Sequence, residues 1–307
     1  MFPIIPANSA TAASQGNGEG IVGFGSNASG RLSLTNLVAD TGVMASDQAA
    51  TTGTARTNPG ACEYGGDKGI FAFGGTASGI TAISNLVSNT GVVATDTAAV
   101  VGATAGGVLA GCSYGGNKGI IGFGERPSAS DITNLISDTG VVATDVSGVG
   151  TARAWLAACE YDGDKAIFGF GGSHTAITNL VSDIGVVVSD QAATTGTGRV
   201  QLAACNYGGD KGVFGYGDGS GSINQNVTNL VSNTGVVAAD VSGLGSARYN
   251  VAATQYGDDK GIFGFGYESS GHNYLSVTNL VSDVGVVASD TTGTGTARAG
   301  VSACSFA

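Results

Sequence analysis

The chain has 307 residues, a formal net charge of −11, 54 glycines, only 4 prolines and 42% hydrophobic residues. Its 12 cations leave no basic cluster for a phosphate backbone, which argues against a nucleic-acid partner. Five cysteines with no CxxC pair argue against a disulfide framework and against a zinc site, and no cofactor or metal is expected.

Residues 1–18 open with an apolar, proline-stiffened tip, Phe2-Pro3-Ile4-Ile5-Pro6, followed by the small, polar run Ala7 to Gly16. There is no basic leader and no long apolar core, so the segment is expected to be neither signal peptide nor membrane span. It is predicted to be a flexible arm whose tip, Phe2, Pro3, Ile4, Ile5 and Pro6, docks on a partner.

From residue 19 to 307 one block recurs six times. Its T/S-N-L-V/I core places an asparagine at Asn36, Asn85, Asn134, Asn179, Asn229 and Asn279, at spacings of 49, 49, 45, 50 and 50. Such a period marks a solenoid, a propeller or an array. The fourth repeat shows the unit best: strand A at Leu156–Tyr161, strand B at Lys165–Gly171, strand C at Ala176–Ser182 and strand D at Gly185–Asp190. Asp162-Gly163-Asp164 and its equivalents Gly65-Gly66-Asp67 and Gly115-Gly116-Asn117 make the A–B turn a tight hairpin, while Asp138-Thr139-Gly140 typifies the C–D turn. Strands B and D are apolar runs, such as Ile70–Phe73 and Val236–Ala239, and are predicted to be buried on both faces.

The first repeat enters at strand B, Glu19 to Gly25, with no strand A before it, and Arg298 to Ala307 supplies a strand A after the sixth. A ring in which the last strand completes the first sheet hides the long edges that an open stack would leave. The prediction is therefore an all-β, six-bladed β-propeller with four-stranded blades over residues 19–307. The order of arginine, small-residue strand, aliphatic-aromatic strand ending in glycine, variable loop and extended strand resembles the kelch family. It departs from that family in keeping the Gly-Gly doublet only at Gly74-Gly75 and Gly171-Gly172, and in lacking the late tryptophan. The resemblance implies a propeller and names no activity.

Other columns repeat too. Cys62, Cys112, Cys159, Cys205 and Cys304 share one strand A position, filled by Thr254 in the sixth repeat, and are expected to be small apolar fillers at one depth. Arg56, Arg153, Arg199, Arg248 and Arg298 stand six residues earlier, with Gly106 as the exception. Asp47, Asp96, Asp145, Asp190, Asp240 and Asp290 close strand D, eight to ten residues ahead of the arginine position. A bidentate Arg–Asp clamp across each blade junction is the expected pairing.

Catalytic residues are not expected. The two histidines, His174 and His272, fall in different repeats, and the loop carboxylates Glu125, Asp131, Asp218 and Glu268 single out no glycosidase pair. Variation concentrates in the B–C loops, where recognition by a rigid scaffold usually resides. Arg126, His174, Asp218, Asn224, Gln225, Tyr267, Glu268, His272 and Tyr274 are the candidate ligand-binding residues, with Tyr267, His272 and Tyr274 suited to a sugar or protein surface.

The Phe-Pro-Ile-Ile-Pro opening is similar to short N-termini of tailed-phage virion proteins, and the charge-poor Gly/Ala/Ser/Thr-rich body resembles viral fibre or decoration proteins. The expectation is a non-enzymatic virion component, used for decoration, fibre or host attachment. Its arm would bind other virion proteins and its loop face a host-surface glycan or protein. The alternative is a free carbohydrate-binding or kelch-like interaction propeller, cytoplasmic or extracellular, and a propeller glycosidase comes third.

Overall fold

The computed structural model describes residues 18–48, 53–98, 101–191 and 196–306. The expected arm tip, Phe2 to Pro6, lies outside them. The described chain is all-β and contains no helix, hence none long and apolar enough to cross a membrane.

Six three-stranded antiparallel sheets carry the six repeats. The second consists of Gly60–Tyr64, Lys68–Ala72 and Ser84–Val87, and the third of Ala110–Tyr114, Lys118–Gly122 and Thr133–Ile136. The fourth consists of Ala157–Tyr161, Lys165–Gly169 and Thr178–Val181, and the fifth of Ala203–Tyr207, Lys211–Gly215 and Thr228–Val231. The sixth runs Ala252–Tyr256, Lys260–Glu268 and Asn273–Val281. The first takes Gly20–Gly23 and Thr35–Val38 from one end of the chain and Ser302–Ser305 from the other. Registers agree: Cys159 faces Ile167, which faces Leu180, and in the first sheet Ile21 stands between Cys304 and Leu37 in the same way. The C-terminal strand thus occupies the strand A place.

Each innermost strand packs against the innermost strands of two neighbouring sheets, and the sequence of contacts returns to its start, with Ser302–Ser305 touching both Ala252–Tyr256 and Gly60–Tyr64. A second cycle is drawn in hydrogen bonds. The backbone N–H two residues after each arginine position reaches the carbonyl at the same position one repeat earlier. The bonds run from Val108 to Asn58 (3.2 Å), Trp155 to Val108 (3.2 Å), Gln201 to Trp155 (2.8 Å), Asn250 to Gln201 (2.9 Å), Gly300 to Asn250 (3.1 Å) and Asn58 to Gly300 (2.7 Å). All six residues sit at φ between 49° and 64°. That conformation is costly for Val108 and Trp155 and persists because the closed ring over-determines it.

The turn chemistry follows the sequence. Gly65 and Gly66 both have positive φ in the A–B hairpin, and Gly42 takes the left-handed position of the C–D turn. The fourth run behaves differently from expectation. It is joined to strand C by two isolated bridges per repeat, Val38↔Met44 and Thr35↔Gln48 in the first, and forms no continuous strand. The Asn36 side chain explains part of this, because its Nδ2 takes the Ala45 carbonyl, an acceptor for which the ladder would otherwise need a backbone donor. Burial on both faces holds for strand B, where Ile70, Phe71 and Phe73 are fully buried. It fails for the outer run, where Val236 is 65% exposed beside Val237 at 9%. An outermost run has a neighbour on one side only.

The cores lie at the junctions between sheets. Phe123 of the third unit meets Phe168 of the fourth at 5.0 Å, and Phe170 meets Phe214 at 5.1 Å. All five thiols are free and buried. Each packs against strand B of the next sheet, which is glycine at most junctions for this reason: a methyl on Gly261 would lie 2.5 Å from Cys205 Sγ, and one on Gly69 equally close to Cys304 Sγ. Cys112 meets Ala166 within the same core cluster.

Candidate functional site

The repeated cations prove to be structural, through a geometry the spacing did not reveal. Arg153 Nη2 donates to Asn179 Oδ1 (2.6 Å), and Asn179 Nδ2 donates to Asp190 Oδ1 (2.9 Å). Asp190 also accepts the Thr151 N–H and hydroxyl, the latter at 2.5 Å. The guanidinium itself stays 3.9 Å from the carboxylate. Arginine therefore pairs with the aspartate of its own unit, Asp96 for Arg56 and Asp47 for Arg298, and not with the one just ahead of it in sequence. The junction is crossed by a cation–π contact, Arg153 lying 4.4 Å from the Phe123 ring centroid of the preceding unit. A fully buried guanidinium needs close acceptors for its donors, and the recurring asparagine supplies one while relaying to the carboxylate. Burial lowers the Arg153 pKa to about 10 against the opposing pull of Asp190, so it stays charged at neutral pH.

Arg126 belongs to this set and not to the ligand-binding loops. Its side chain is buried, donates to Asn134 Oδ1 and the Thr104 carbonyl at 2.8 Å each, and stands 3.4 Å from Asp145. It supplies from a loop the guanidinium that Gly106 cannot, and Gly106 leaves the room, since a methyl there would meet Arg126 Cγ at 3.3 Å. The sixth arginine was present in the sequence but out of register. Four of the arginines also donate Nε, at 2.8 Å, to the carbonyl of a strand B aromatic in left-handed conformation, as Arg153 does to Phe170.

Two cavities are each lined by all six inner strands, one of about 90 Å³ on the Trp155 side and one of about 50 Å³ on the thiol side. Strand alternation turns the residue after each cysteine away from the junction, and Glu63, Ser113, Asn206, Gln255 and Ser305 line the second cavity. Glu160 holds the same strand position. Burial pushes Glu63 up to about 7, with Ser305 Oγ, 2.5 Å away, opposing and Asp67 adding to the rise. Burial does the same to Glu160, reinforced by Glu63 and Asp164. Sequence reasoning missed both; the signal was a polar column in which Glu alternates with Ser, Asn and Gln between the near-constant cysteine and tyrosine columns.

The variable loops gather on the Trp155 side of the ring. In the fifth unit Asp218 and Asn224 face each other across a short hairpin, and in the sixth strands B and C extend into a longer one in which Tyr267 faces Tyr274 and Glu268 faces Asn273. Ser269 Oγ donates to Asn224 Oδ1 (3.0 Å) and ties the two hairpins together. Gln225 Nε2 donates to the Ile223 carbonyl two residues earlier, and Glu268 accepts from Ser270 Oγ. His272 Nδ1 lies 3.4 Å from the Tyr267 hydroxyl. Tyr267 also stacks edge-on with Tyr274 at 5.0 Å and with Tyr249, which the sequence did not single out, at 5.6 Å. His174 stands apart from this group with Asp218. Burial raises the Asp218 pKa, His174 opposes the rise, and neither His174 Nε2 nor Asp218 Oδ1 has a hydrogen-bond partner among the described residues. The structure thus unites Tyr267, His272 and Tyr274, sets His174 near Asp218 without a hydrogen bond, and removes Arg126 from the face.

No protein-family model matches the chain, and no curated protein is significantly similar to it.

Proposed function

We propose that the chain is a six-bladed β-propeller acting as a non-enzymatic recognition scaffold, suited to a decoration, fibre or host-attachment role in a virion. The closed cycle of inner strands, the six ring hydrogen bonds and the pairing of Gly20–Gly23 with Ser302–Ser305 support the propeller. The observation that carries the recognition reading is a division of labour among polar side chains. The repeated Arg, Asn and Asp are spent on internal networks, whereas the unrepeated aromatic and amide groups cluster on the hairpins of the fifth and sixth units. A scaffold fixed by one set and decorated by the other is how rigid folds present binding loops.

The test is an exchange of loops. Replacing residues 218–225 and 267–274 by the short fourth-repeat loop, Gly171 to Thr175, should leave the melting temperature within a few degrees of wild type and abolish binding to host cells or glycans. Equal binding by the exchanged protein refutes the reading. The virion role is tested separately by deleting Met1 to Gly16 and measuring capture by capsid and tail proteins. Undiminished capture removes the arm as the anchor.

A further inference from the structure

The six positions of the hydrogen-bonded ring are Asn58, Val108, Trp155, Gln201, Asn250 and Gly300. They vary from repeat to repeat between the arginine and cysteine columns, and among them only Gly300 carries no side chain. Beside this gap, between the sixth and first sheets, a trough of about 290 Å³ opens on the variable face. Tyr249, Tyr267 and Tyr274 line it together with Asn58 and Asn250. A methyl on Gly300 would meet the Asn58 amide at 3.1 Å, so the missing side chain keeps that amide in place.

We propose that this trough binds one neutral pyranose unit of a glycan, stacked on the tyrosine cluster and hydrogen-bonded by Asn58 and Asn250. The inference rests on the recognition reading above and names its ligand class. Tyrosine rings offer an apolar face to the C–H side of a sugar, and a side-chain amide, donor and acceptor at once, matches vicinal hydroxyls. No lining residue bears a formal charge, and the chain carries a net charge of −11, so a sialylated or sulfated sugar would meet repulsion and no counter-ion. An extended peptide is disfavoured for another reason. The surrounding backbone is already bridged, Ser26 to Ala299 and Tyr249 to Tyr267, leaving no strand edge there for a peptide to extend.

The intact protein is titrated calorimetrically with the methyl glycosides of glucose, galactose, mannose and N-acetylglucosamine, and with sialyllactose and a tyrosine-rich peptide library. Two variants accompany it. Tyr267→Ala removes the stacking surface; Gly300→Asn fills the trough with a residue that the ring already accepts in left-handed conformation at Asn58 and Asn250. At least one neutral glycoside should bind, with affinity falling about tenfold or more in both variants. If no neutral glycoside binds at about 10 mM, if only the charged sugar or a peptide binds, or if both variants bind as wild type, the proposal is overturned. Should the loop exchange abolish surface binding while both point variants retain it, recognition by this face stands and the trough assignment alone falls.

Discussion

Replacing Glu63 and Glu160 by glutamine, singly and together, measures what two inward carboxylates cost a closed ring. Burial is the largest cause lifting both from 4.5 to about 7. Between those values the folded protein holds two protons that the unfolded chain releases, so stability falls as pH rises from 4.5 to 7 and levels off above. At about 1.4 kcal/mol per pH unit the loss is about 3 kcal/mol for each carboxyl. The clamp aspartates work in the opposite sense. Burial pushes Asp190 up, but its hydrogen bonds from Thr151 and Asn179 and the charge of Arg153 outweigh it, and its five equivalents are likewise lowered. Their contribution is complete above the ordinary carboxylate pKa of 3.8 and is lost as pH falls through the lowered values. Stability should therefore peak in mild acid, at about pH 4 to 5. Urea unfolding from pH 4.5 to 8.5 checks this: wild type should weaken steadily to pH 7, and the double variant should be nearly flat and more stable than wild type at pH 8. A wild-type profile flat between pH 5 and 8, or glutamine variants less stable at pH 8, would refute the argument.

Arg126→Ala leaves Asn134 Oδ1 and the Thr104 carbonyl without a donor and should cost about 3 kcal/mol or more; adding Gly106→Arg, which restores the arginine to the regular register, should recover most of it in chemical denaturation. Gly261→Ala pushes against Cys205 Sγ and should cost about 1 to 3 kcal/mol. The same change in a Cys205→Ala background should cost less, and a double-mutant cycle without coupling would contradict the filler role. Deleting Arg298 to Ala307 removes the Arg298 network and the strand that pairs with Gly20–Gly23, exposing an edge and two apolar junction faces. Sedimentation and thermal melts should show aggregation or unfolding, and an unchanged monomer would disprove the closure argument.

The sequence by itself determined what is local and periodic. Apolar runs, glycine turns at Gly65-Gly66 and the offset between Glu19 and Arg298 specified six β units, their hairpins and the strand that completes the first sheet, because strand period and turn φ are properties of neighbouring residues. It also marked Tyr267, His272 and Tyr274, since one hairpin carries all three. Tertiary structure decided what depends on distance around a ring. It joined Arg56 to Asp96 through Asn85, seated Arg126 where Gly106 had left a gap, turned Glu63 into the thiol-side cavity and buried Glu160 where it feels the Glu63 charge. It also brought Tyr249, Asn58 and Gly300 from three different repeats to one trough. Repeat spacing tells which residues are equivalent. Which of them touch is set by the rotation between units and by the burial of charge, and neither has a signature in the order of residues along the chain.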